Sequence, residues 1–152
     1  MKNTIKDIIN DVLSGLESVK IPNTPEARAL VFETGMAESG YRHLKQMSAT
    51  EEYGAVSFWQ IEPGTIIDIW QNYISYRDPL VSKAKELGFI EDDMVFSVMT
   101  NIAVAIFFSR IYYRRKPGAI PKTMEERANY WKEFYNTAQG KGTVKHYVEA
   151  NK

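Results

Sequence analysis

The sequence contains no cysteine, which excludes a disulfide framework and a thiolate metal site and leaves the redox compartment unreadable. Histidine is almost as scarce. His43 and His146 are the only two, too few for a histidine-rich metal centre, and no cofactor is implied. An excess of either charge is also missing: Lys+Arg and Asp+Glu are both 19, which argues against electrostatically driven nucleic-acid binding. The longest apolar run, residues 94–108, is interrupted by Ser97, Thr100 and Asn101 and falls short of the about 20 residues a membrane span needs. Residues 1–20 alternate charge with aliphatics and lack the continuous apolar h-region of a secretory signal. The chain is therefore expected to be made in the cytoplasm without a signal peptide. No internal repeat or low-complexity segment is present.

What remains is ordinary for one soluble globular domain: 152 residues, 44% apolar and 25% charged. Residues 4–19 carry Ile5, Ile8, Ile9, Val12, Leu13, Leu16 and Val19 at amphipathic-helix spacing. They predict an N-terminal helix, residues 1–23, packed on a main unit of residues 24–152. Thr24-Pro25-Glu26 starts a second helix, with Thr as cap, Pro in the first turn and Glu at the positive end, running to about residue 44. Further helices are expected over residues 65–76 and 80–87. A central helix over 92–113 is apolar on nearly all sides. Thr123 and Glu126 fit a capping box for a last helix carrying Ala128, Tyr130, Trp131, Phe134 and Tyr135. The fold class is mainly α, with at most a very small β-region.

The chemistry concentrates in residues 29–63, ALVFETGMAESGYRHLKQMSATEEYGAVSFWQIEP. Two acids lie on the helix, Glu33 and Glu38, about 140° apart around its axis, so only one can face a given narrow cleft. Glu38 is followed by Ser39-Gly40-Tyr41. A carboxyl beside small residues in an otherwise apolar helix is what a buried general acid needs, because desolvation raises its pKa. Downstream, Gly54 to Pro63 brackets Ser57, Phe58, Trp59 and Gln60 with turn residues, and Gln60 is a polar side chain in an apolar run.

Glu-Ser-x-aromatic, followed by Gly-Ala-x-x-φ-φ-Gln-Ile-x-Pro, resembles the first two motifs of the soluble lytic transglycosylases, the goose-type branch of the lysozyme superfamily. Asn101-Ile102 with Ala105 and Phe108 resembles the third motif, and Tyr135-Asn136 before Gly140 the fourth. The resemblance covers residues 24–143. Ser57 stands where the family usually has Gly, Phe58-Trp59 replaces Leu-Met, Phe108 stands where Tyr is frequent, and Thr137-Ala138-Gln139 intervenes before the glycine of the last motif.

The resemblance implies a lysozyme-like fold acting on the glycan strands of peptidoglycan, with cleavage of the β-1,4 bond between N-acetylmuramic acid and N-acetylglucosamine. Glu38 would be the acid/base. Ser39, Ser57, Phe58, Gln60, Tyr135 and Asn136 would line or support the sugar cleft, with the Tyr135 hydroxyl placed near Glu38. Phe58 and Trp59 read equally as sugar-stacking rings or as core. Glu51 and Glu52 read as solvated loop, or as auxiliary carboxylates that position water. Without an unambiguous partner acid the expected reaction is the internal attack of a lytic transglycosylase. A hydrolytic lysozyme is the first alternative and a non-catalytic glycan-binding or virion protein the second. No metal is needed. A signal-less wall enzyme suits a phage-encoded member, an endolysin delivered by a holin or a virion-borne lysin.

Overall fold

Local capping chemistry explains where four of the eight α-helices among the described residues start. In the computed structural model, which describes residues 2–45 and 54–152, Thr24 accepts a side-chain hydrogen bond from the Ala27 amide. Asn101 accepts from Val104, Thr123 from Glu126 and Thr143 from His146 in the same way. These residues open α2 (Pro25–Glu38), α6 (Ile102–Arg114), α7 (Met124–Trp131) and α8 (Val144–Ala150). The other helices are α1 (Lys2–Gly15), α3 (Pro63–Asn72), α4 (Asp78–Glu86) and α5 (Met94–Thr100). The chain is all-α. Among the described residues the only β-structure is two isolated bridges, Lys45 with Val56 and Val56 with Ile61.

One apolar core joins these elements. Ile5, Ile9 and Leu13 of α1 bury against α2 and α6, so the N-terminal helix belongs to the same core as residues 24–152. α6 is buried almost all round, from Val104 through Ile111, as its sequence demands. Trp59, Trp70 and Phe108 are core residues, and Trp59 is fully buried with its indole N–H donating to the Val31 carbonyl at 2.8 Å.

Two helices differ from the periodicity in ways that matter for the site. Residues 92–113 do not form one helix: α5 and α6 meet at Asn101 with a bend of 101°. Asn101 is extended (φ −117°, ψ 108°), caps α6, and donates from Nδ2 to the Leu87 carbonyl at 2.9 Å. An apolar pattern cannot reveal a break when both halves are buried. No single described helix is long and apolar enough to cross a membrane.

The second difference is at α2, which stops at Glu38 rather than near residue 44. Gly40 and Tyr41 both take positive φ, 61° and 57°, and turn the chain back. The Tyr41 ring then lies on Gly35, where there is no room for a Cβ, and its hydroxyl donates to the Phe32 carbonyl at 2.8 Å. Glu38 is therefore the last residue of a buried helix, at the point where the chain leaves it.

Candidate functional site

The two acids of α2 have separate fates. Glu33 is buried and fully engaged. The Arg127 guanidinium donates to it in bidentate fashion at 2.7 and 2.8 Å, and the Tyr147 hydroxyl donates at 2.8 Å. Such a pair is a structural clamp between α2, α7 and α8, and Glu33 does not line the cleft that Glu38 faces. Glu38 has no cation partner among the described residues. Its carboxylate accepts one hydrogen bond, from the Trp131 indole N–H at 3.1 Å, and it lines a cleft of about 720 Å³. Burial pushes its pKa up to about 7, partly offset by the Trp131 hydrogen bond. Near neutrality this carboxyl is divided between acid and base.

Aromatic rings surround it. Burial raises the Tyr112 and Tyr135 phenols, and the Glu38 charge adds to both shifts, which places them within electrostatic reach of the carboxyl. The wall beside Glu38 is thus made of neutral rings, the surroundings that keep a carboxyl protonated.

The 54–63 segment forms the next wall. Ser39, buried at the end of α2, donates to the Phe58 carbonyl at 2.7 Å and accepts from the Tyr41 amide. It ties the acid-bearing helix to this turn and does not line the cleft. Ser57 is buried at φ 68°, its side chain accepting from the Trp59 amide at 3.1 Å. A left-handed backbone at this position is one that favours glycine, so Ser57 holds it at some cost. Gln60, also at positive φ (49°), lines the cleft and donates from Nε2 to the Ser57 carbonyl at 2.8 Å. Phe58 packs edge-on against Tyr41, away from the cleft lining, so neither ring of Phe58-Trp59 faces the cavity.

Residues 131–146 close the opposite side. α7 passes into a π-turn, Lys132–Asn136, closed by the Thr137 amide donating to the Lys132 carbonyl at 2.8 Å. Tyr135 and Asn136 reach the cleft wall there. The Tyr135 hydroxyl does not bond to Glu38; it donates to the Trp59 carbonyl at 2.5 Å and so joins the two walls. Asn136 accepts from Lys132 Nζ at 2.7 Å, and the same ammonium holds the Gly140 carbonyl at 3.0 Å. A Cβ on Gly140 would collide with Asn136, and one on Gly142 with the Trp131 ring. The loop needs both glycines to lie this close.

Several cleft residues were not expected from the sequence. Trp131 supplies the one hydrogen bond to Glu38 among the described residues. His146 bonds the Ala37 carbonyl at 2.7 Å, and since a carbonyl only accepts, Nε2 carries the proton. Glu62, exposed at the start of α3, is a second carboxylate in the lining. Of these only Trp131 had a usable signal, lying one helical turn before Tyr135. Glu51 and Glu52 lie outside the described residues. Among the described residues no group of three or more histidine or acidic side chains is arranged to hold a metal ion. The chain matches no family model, no curated protein and no solved structure.

Proposed function

We propose that this chain is a peptidoglycan glycosidase of lysozyme-like type that cleaves the N-acetylmuramic acid β-1,4-N-acetylglucosamine bond, with Glu38 as its acid/base. One observation carries the reading: a carboxyl with no cation partner among the described residues, raised to about 7 by burial, faces an open cleft. The order of the four sequence motifs along the chain supports it. Gln60, Asn136 and Thr143 give the cleft amide and hydroxyl groups suited to sugar hydroxyls and acetamides.

In this reaction the protonated Glu38 gives its proton to the glycosidic oxygen as the bond to the muramic C1 breaks. The sugar passes through an oxocarbenium-like state. The Glu38 carboxylate then accepts a proton from the incoming nucleophile. In a lytic transglycosylase that nucleophile is the muramic C6 hydroxyl, which closes an anhydro ring. Glu62 favours a second outcome, because an exposed carboxylate in the same cleft can orient water for hydrolysis.

Digestion of purified peptidoglycan tests both. The enzyme should release soluble muropeptides, and Glu38→Gln should lower the rate by ~10²–10⁴-fold. Internal attack gives products about 18 Da lighter than hydrolysis does, since no water is added. Intact walls after prolonged incubation with the folded protein would remove the glycosidase reading and leave a glycan-binding or structural role.

A further inference from the structure

The basic cluster at the end of α6 has no part in the cleft, yet it contains the least expected charge in the molecule. Arg110 is only 5% exposed and makes no ion pair among the described residues. Its Nη2 donates to the Pro22 carbonyl at 3.2 Å, while its buried Nε–H finds no acceptor among the described residues. A buried guanidinium without a counter-charge is costly, and the usual solutions are a carboxylate partner or a bound anion. The neighbouring Arg115 shows the first solution, paired with Asp68 at 2.9 Å. Arg110 has no such partner.

Arg110 lines a recess of about 210 Å³, together with Arg114, Lys116, Tyr130 and the start of α2. At about 30 Å³ per water, this holds one small oxyanion and a few waters. Three cations face it against one acid, Glu26, so the recess carries an excess of positive charge. The N-cap Thr24 and the first-turn Glu26 bring the positive end of the 14-residue α2 to the same place. Arg114 and Lys116 by themselves would be explained by the negative end of α6. Arg110 sits a turn further in, where that explanation fails. The recess shares no lining residue with the cleft; Tyr130 borders one and Trp131 the other.

We propose that this recess binds a single oxyanion group, a phosphate or a carboxylate, with Arg110 as its buried anchor and Arg114 and Lys116 as its outer clamp. The guanidinium offers directed N–H donors that match either anion. Lys116, which also lies over the Tyr112 ring at 5.0 Å, adds a point charge at the rim. The proposal stands apart from the glycosidase reading and does not depend on it.

Thermal unfolding of the full chain tests it, with sodium phosphate or sodium acetate replacing sodium chloride at fixed pH and ionic strength. The melting temperature should rise saturably with at least one of the two oxyanions, because a ligand that binds only the folded state stabilises it. A response to phosphate alone assigns the phosphate class, and an equal response to acetate admits carboxylates. Arg114→Ala, on an exposed side chain, should keep the fold and weaken the apparent affinity by roughly 10-fold, as loss of a charge-assisted contact does. Arg110→Met should abolish the response. Superimposable curves in chloride, phosphate and acetate would overturn the proposal. An Arg114→Ala protein that titrates like the wild type would overturn it too.

Discussion

The Trp131 indole N–H donates to the Glu38 carboxylate at 3.1 Å, across 93 positions of sequence. Trp131 is fully buried against Tyr147, so its ring cannot swing away, and the donor is fixed in the cleft wall before any ligand arrives. Glu38 thus sits under two opposed influences. Burial favours its neutral form, and the indole donor favours its charged form.

Removing the donor should therefore move the acid. Trp131→Phe keeps an aromatic ring but deletes the N–H, so the Glu38 pKa should rise further. If Glu38 is the general acid, the alkaline limb of the kcat/KM profile, which reports loss of its proton, should move to higher pH. An unmoved alkaline limb in a folded variant would separate this limb from Glu38.

Stability should depend on pH through the same group. The folded pKa of about 7 lies above the ordinary glutamate value of 4.5, so between these values the folded chain binds more protons than the unfolded one. Stability from this group is present at low pH and is lost as pH rises towards 7. Glu38→Gln removes that loss. The variant should match the wild type near pH 4 and exceed it near pH 8, by ~1–3 kcal/mol in denaturant unfolding. A variant no more stable than the wild type at pH 8 as well as at pH 4 would mean that Glu38 is not desolvated in solution.

Glu33 should behave in the opposite way. Glu33→Gln leaves the Arg127 guanidinium buried without its counter-charge, at a cost of ~3–5 kcal/mol. The activity of the molecules that remain folded should survive at low temperature, because Glu33 does not line the cleft. Glu33→Gln with Arg127→Met should recover part of the lost stability. Specific activity measured beside thermal unfolding distinguishes this clamp from an acid.

Ser57 tests the turn. At φ 68°, Ser57→Gly relieves a left-handed strain of ~1–2 kcal/mol while losing the side-chain bond to the Trp59 amide, so stability should stay within about 1 kcal/mol of the wild type. Ser57→Val adds a β-branched side chain where the backbone disfavours it and keeps no acceptor. It should lose ~2 kcal/mol or more. Urea midpoints of the two variants decide between strain and packing.

The all-α class was legible in the sequence because amphipathic spacing and capping residues are local properties. Thr24, Thr123 and the apolar face of α1 announce themselves within a few positions. The separation of Glu33 from Glu38 was legible too, since 100° per residue fixes which acids share a face. The break at Asn101 was not, because both flanking segments are apolar and only the Leu87 carbonyl and Gly88 on a different segment give it a reason. The seven-residue α8 was missed because one buried ring, Tyr147, is too little periodicity to read. The expected contact of Tyr135 with Glu38 became a bond to Trp59 because the π-turn redirects its hydroxyl, and no residue pattern encodes that turn.

The placement of Glu38 and Trp131 also sets an order of events during synthesis. The acid on α2 leaves the ribosome 93 residues ahead of Trp131, which with the residues up to His146 closes the opposite side of its cleft. Until then Glu38 has neither its indole donor nor its aromatic shelter, and in open water a carboxyl stays ionised at neutral pH. A nascent chain therefore holds its acid ionised while those 93 residues are made, and the surroundings that favour its proton arrive only with α7 and α8.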